Sequence, residues 1–176
     1  DARLYGTVVY PGSAFRSSPV QIQAGVATWE DGGYKLKVGD LASVYSDGET
    51  LTGADGPRDN DQYVSNTGFY IRKYVSENPH GVRPSLASNW YPWFRLGEIY
   101  LNAAEAAFEL EKPEAKDYIN KVREVHGGFP ANSIQTLTND IIRNERRVEL
   151  AFEDHRYFDL KRWRIADKVW DGLDSN

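Results

Sequence analysis

The sequence predicts a mainly α fold joined to a loop-rich N-terminal half with short strands. Two observations carry this. Apolar residues recur at helical spacing from about residue 89 to 170, whereas residues 1–88 are rich in Gly, Ser, Asp and Asn and hold their apolar residues in short bursts between turn signals. With 176 residues and 40% hydrophobic content, the chain is long enough for one sizeable core, so a single region spanning 1–176 is expected, loop-rich over 1–88 and helical over 89–170.

In the first half, Asp1 is placed to cap a brief helical turn through Leu4, and Thr7 to Tyr10 then favour extended backbone until Pro11-Gly12 turns it. Thr28-Trp29-Glu30, Asp31-Gly32-Gly33 and Tyr34 to Val38 read as a hairpin, because consecutive glycines tolerate the positive φ of a tight turn. Phe69 to Val75 is a further candidate strand. Ser46 to Asn66 lacks apolar periodicity and reads as a long surface loop.

In the second half, Leu96, Ile99, Tyr100, Ala103, Ala104, Ala107 and Phe108 form one apolar stripe on a helix of about five turns that starts near Pro92. Pro113 suits the first turn of a second helix carrying Tyr118, Ile119, Val122 and Val125, and Gly127-Gly128 ends it. Thr138 is the expected N-cap of a third helix with Ile141, Ile142, Val148, Ala151 and Phe152 on its stripe; a short fourth spans His155 to about Arg164. The first two helices, joined through Glu111-Lys112, resemble one tetratricopeptide-like hairpin, which needs a neighbour to cover its apolar face.

Composition removes several classes of function. The absence of Cys excludes thiol nucleophiles, Cys-zinc sites and disulfide frameworks, and a formal net charge of -5 argues against nucleic acid as partner. No apolar run is long enough to cross a bilayer, and Asp1-Ala2-Arg3 has neither part of a signal peptide. His80, His126 and His155 form no HExxH pair, so no metal or other cofactor is expected. The acidic stretch with Asp47, Asp55, Asp59 and Asp61 lacks the ordered ligand spacing of an EF-hand and reads as solvated loop.

Three blocks, in this order, resemble the SusD/RagB family. The first is Asp1-Ala2-Arg3-Leu4 with Thr7-Val8 and Pro11-Gly12. The second runs from Arg95 to Ala106, with Ile119-Asn120-Lys121-Val122-Arg123 downstream. The third comprises Glu145 to Glu153, then His155 to Leu160 and Arg162-Trp163. Gly97 and Asp154 depart from the residues usual there, Ala and Gly. The resemblance implies an α–α superhelical lipoprotein on the outer surface of a gram-negative outer membrane, acting as a lid on a SusC-type TonB-dependent transporter. It also implies an oligosaccharide or other nutrient as ligand, and no catalysis. Family members are much longer and begin with a lipidated Cys, so the chain corresponds to a C-terminal portion, with the anchor and most helical repeats upstream of it.

Two groups of residues stand out for function. Glu145, Glu149 and Glu153 stack at i, i+4, which tempts a glycosidase reading, but paired catalytic carboxylates flank a scissile bond from opposite sides and these share one. The expected role is a structural ion-pair brace of Glu145, Arg146, Arg147, Glu149, Glu153 and Arg156, with Arg143 also within reach. Glu145 lies on the apolar stripe and needs an Arg or backbone N–H beside it. The candidate ligand platform is Trp29, Tyr34 and Tyr45, since flat rings near turns can take the C–H face of a sugar; a small core beneath the loops is the competing role for them. Trp90, Trp93 and Trp163 read as packing residues. The rival functions are a glycan hydrolase or lyase and a tetratricopeptide-type adaptor that binds peptide.

Overall fold

The computed structural model of the chain describes residues 1–38, 51–57, 64–78 and 89–171. It forms two compact units, one of residues 5–90 and one of residues 1–4 with 91–176. Helix α1 (Arg3–Thr7) carries the chain from one to the other, and its start is fixed by the Asp1 carboxylate, which accepts from the Arg3 N–H at 3.0 Å.

The loop-rich unit holds three two-stranded antiparallel sheets. Strand β1 (Val8–Val9) pairs with β6 (Tyr70–Ile71), β2 (Ala14–Phe15) with β3 (Ser18–Pro19), and β4 (Gly25–Glu30) with β5 (Gly33–Val38). The β4–β5 turn is Asp31-Gly32 with φ of 55° and 81°, the primed geometry that matches the twist of the flanking strands. The β2–β3 turn is unexpected. Arg16 and Ser17 adopt φ of 51° and 63° with no glycine to announce it. The strand expected over Phe69 to Val75 shrinks to two residues, because the Arg72 and Lys73 N–H groups both turn onto the Thr7 carbonyl and Tyr74 reaches φ 66°.

The described part of the expected surface loop, residues 51–57, is partly interior instead. Thr52 is fully buried, the Gly53 N–H donates to the Gln23 carbonyl at 2.8 Å, and the Asp55 N–H to that of Gln21 at 2.9 Å. A Cβ on Gly53 would stand 2.1 Å from the Gln21 oxygen, so glycine is required for this close approach of two backbones.

The helical unit is built on α2 (Leu96–Glu109), α3 (Ala115–Val125) and α4 (Asn139–Glu149), followed by α5 (His155–Arg162) and a short α6 (Ala166–Trp170) that apolar spacing does not foretell. Its core is Leu101 and Ala104 of α2, Ile119 and Val122 of α3, Ile142 of α4, and Leu150, with Phe108, Ile134 and Leu137 packed around them. Thr138 caps α4 through its hydroxyl, which accepts from the Ile141 N–H. Helix α2 begins at Leu96 rather than near Pro92, and its buried face is Gly97, Leu101, Ala104 and Ala107, leaving Leu96 and Ile99 of the expected stripe exposed. Helix α4 departs further. It buries Ile142 with three charged residues, Glu145, Arg146 and Glu149, and Phe152 lies beyond its end, exposed and at φ 63°.

Candidate functional site

In the loop-rich unit, Trp29 and Tyr34 are directly opposed across β4 and β5. Alternation along a strand sends Ala27, Trp29, Tyr34 and Leu36 to one face and Thr28, Glu30 and Lys35 to the other. The two rings meet edge to face, with centroids 5.0 Å apart at 80°. Trp29 is 64% and Tyr34 77% exposed, so they form no core beneath the loops. The turn beside them is polar: Lys35 Nζ stands 2.7 Å from Asp31 Oδ2, and the Thr28 hydroxyl donates to Glu30 Oε1 at 3.0 Å. Tyr45 lies outside the described residues, as do His80, Asp47, Asp59 and Asp61; the Asp55 carboxylate accepts from the Gln21 N–H. Trp90 and Trp93 are exposed, not packed, whereas Trp163 is half-buried and its indole N–H donates to Glu105 at 2.7 Å.

The glutamate row is held inside the helical unit. Glu145 is 1% exposed and accepts from Arg3 at 2.5 Å and Arg123 at 2.8 Å. Glu149 accepts from Arg95 at 2.5 Å and Arg3 at 3.0 Å, and stands 2.6 Å from His126 Nδ1. Glu153 takes two nitrogens of Arg95, which also donates to the Glu149 carbonyl. A second set is centred on Asp159. It binds Arg146 at 2.7 Å and Arg162 at 2.8 Å, Arg146 donates further to Asn102, and Arg162 closes a two-pronged pair with Glu105.

The partners of these glutamates differ from those the sequence suggests. Arg147 and Arg156 are not among them, because Arg147 lies across α4 from Glu145 and Glu149 and Arg156 lines cavities beside it. The partners are Arg3, Arg95, Arg123 and His126, from the chain start, the α2 N-cap and α3. Sequence spacing does not find them, since the Arg3 pairs close over 142 and 146 residues. The available signal is that Arg3, Arg95 and Arg123 all fall within the blocks that carry the family resemblance.

Burial by itself would raise the Glu149 carboxyl, but the hydrogen bonds from Arg95 and Arg3 outweigh it and hold the group below the usual carboxylate range. Glu105 is held low in the same way by Arg162 and the Trp163 indole. A general acid requires a carboxyl moved up towards the working pH, so the network displaces Glu149 in the opposite direction.

The loop-rich unit thus presents two exposed rings on a short hairpin, and the helical unit holds its glutamates in buried ion pairs. Comparison with known proteins gives the family. The SusD family profile matches residues 1–176, and the chain belongs to the SusD family. It is 44% identical over 89 residues to SusD-like protein P25 of Formosa agariphila, covering 46% of this chain and 16% of that protein. SusD-like protein P2 of the same organism is 37% identical over 95 residues, covering 48% and 19%. Among solved structures, a SusD-like protein of Bacteroides fragilis matches with TM-score 0.59 and 28% identity, over 93% of this chain and 27% of that one. A SusD-like carbohydrate binding protein of the same species matches with TM-score 0.60 and 25% identity, over 96% and 30%. The chain thus spans about a fifth of the length of the curated relatives it matches. Among the described residues, no helix is long and apolar enough to cross a membrane.

Proposed function

We propose that the chain is the C-terminal part of a non-catalytic glycan-capturing protein of the bacterial outer membrane, one that serves a SusC-type TonB-dependent transporter and is anchored by lipid upstream of this chain. The observation that carries the reading is the exposed Trp29–Tyr34 pair, two rings presented side by side on the strands flanking a polar turn. A sugar ring lays its C–H face on such a surface, with Asp31 in the adjoining turn placed to bond its hydroxyls. Family membership supports capture without cleavage, and one structural relative is itself described as a carbohydrate binding protein. The helical hairpin of α2 and α3 is suited to stacking against further repeats as one unit of an α–α superhelix, the tetratricopeptide-like role read from its small alanines.

The glutamates and their arginines act as a brace in this reading, holding α2, α3 and α4 in register while the loop-rich unit meets ligand. Calorimetric titration of the full chain with a panel of neutral oligosaccharides, repeated with Trp29→Ala, tests the assignment. The expected result is binding that the substitution weakens about tenfold, in keeping with the ~1–2 kcal/mol of an aromatic contact. Equal affinity in the two proteins removes Trp29 from the site.

A further inference from the structure

Helix α4 has a second charged side. Arg143 and Arg147 are one turn apart, and helical spacing sets them across the helix from Glu145 and Glu149. Arg156, in the first turn of α5, joins them. Arg147 and Arg156 line both a cavity of ≈ 530 Å³ between α4 and α5 and a neighbouring one of ≈ 360 Å³. Among the described residues neither guanidinium is bonded to a carboxylate. Of the acids that line these cavities, Asp159 is taken by Arg146 and Arg162 and Asp154 accepts from the Tyr91 hydroxyl at 3.1 Å, while Asp140 borders the smaller cavity without pairing either arginine.

Three further features make the site electropositive. Arg143 borders the smaller cavity, with its Nε buried and without a hydrogen-bond partner. Burial first, and the charge of Arg147 second, hold Arg156 below its ordinary value, against a weaker opposing pull from Asp159, which Arg146 and Arg162 already engage. The first turn of α5 carries no acidic residue, and the Asp154 side chain does not cap it, so the N–H groups at that end add to the same potential. The larger cavity is not merely charged, since the part-exposed rings of Phe152 and Tyr157 line it too. A volume of this order accommodates one or two sugar rings.

We infer that the cavity between α4 and α5 binds an acidic sugar, with Arg147 and Arg156 holding an oxyanion substituent, carboxylate or sulfate, and Tyr157 and Phe152 facing the apolar side of the ring. The inference rests on the glycan-capture reading and adds a second, charge-selective subsite to it.

Calorimetry on the full chain tests it with four probes: tetragalacturonate, its fully methyl-esterified form, a sulfated galactose oligomer and a poly-glutamate peptide. One or both acidic oligosaccharides are expected to bind at least about tenfold more tightly than the neutral ester, as charge-assisted hydrogen bonds from arginine imply. The better of the two identifies the substituent. Arg147→Gln should abolish the preference and Arg147→Lys should keep part of it. Arg147 is exposed and unbonded, so both variants should melt with the native protein; Arg156→Gln gives an independent second reading. Equal affinity for acid and ester, or a preference that survives Arg147→Gln, overturns the subsite and leaves glycan capture standing through Trp29. Binding of poly-glutamate in place of every oligosaccharide overturns the sugar assignment in favour of a polypeptide partner, while the Trp29 titration with neutral oligosaccharides decides the glycan reading separately.

Discussion

Glu149 is the residue on which the helical unit most depends, because it gathers Arg3, Arg95 and His126 at one buried carboxylate. Removing one member of a buried ion pair leaves the others uncompensated, at a cost of roughly 3–5 kcal/mol. Glu149→Ala is therefore expected to lower the unfolding free energy by about 3 kcal/mol, measured as a shift in urea midpoint at unchanged slope. Trp29 belongs to the opposite extreme. Its ring is mostly exposed and its packing partner is Tyr34, so Trp29→Ala should cost only about 1 kcal/mol, the worth of an aromatic pair, and thermal unfolding should show it. A larger loss would mean that the ring is a core residue of the hairpin and not a platform.

Among the elements, α4 is the one whose start is read from sequence and whose end and face are read only in part. Thr138→Ala removes the hydroxyl that accepts from the Ile141 N–H and should destabilise the helical unit by about 1 kcal/mol, while Thr138→Ser retains most of the cap; urea titration separates the two. Capping is legible because it is local chemistry. The same holds for the β4–β5 turn, where Gly32 has no Cβ to oppose a positive φ and Asp31 tolerates one. The β2–β3 turn is not legible, since Arg16 and Ser17 are forced into positive φ by pairing that local propensity does not contain. Apolar spacing on α4 points to Ile141, Ile142, Val148, Ala151 and Phe152 with Glu145 on the same stripe; Ile142 and Glu145 are buried, but Arg146 and Glu149 join them in place of the rest. Charged residues can fill a core only when their partners arrive, and these arrive from Arg3, Arg95, Arg123 and Asp159. The exposed ring pair is legible for the opposite reason: its partners sit across one short turn.

At the scale of the whole molecule, the two units differ in what holds them. Every buried glutamate among the described residues, Glu145, Glu149 and Glu153, belongs to the helical unit, whereas the buried polar residues of the loop-rich unit are Ser13 and Thr52, which do not titrate in acid. Glu149 and Glu105 have folded-state values below the ordinary carboxylate range. An acid whose folded value is depressed contributes stability that is complete above its unfolded value, and that contribution is lost as pH falls through the folded one. The helical unit should therefore hold constant stability from neutral pH down to about 5 and weaken progressively below about 4.3, the ordinary glutamate value. Urea midpoints followed by the far-ultraviolet helix signal at pH 7, 5 and 3 measure this. The expected order is equal values at the first two and a lower one at the third. Glu149→Ala should flatten the acid limb in proportion to the share of it that this carboxylate carries, because a group that no longer titrates cannot report the loss of its pairs. An acid limb of full depth in that variant would assign the effect to other carboxylates, and a midpoint that does not fall at pH 3 would mean that the buried arginine contacts contribute no net stability.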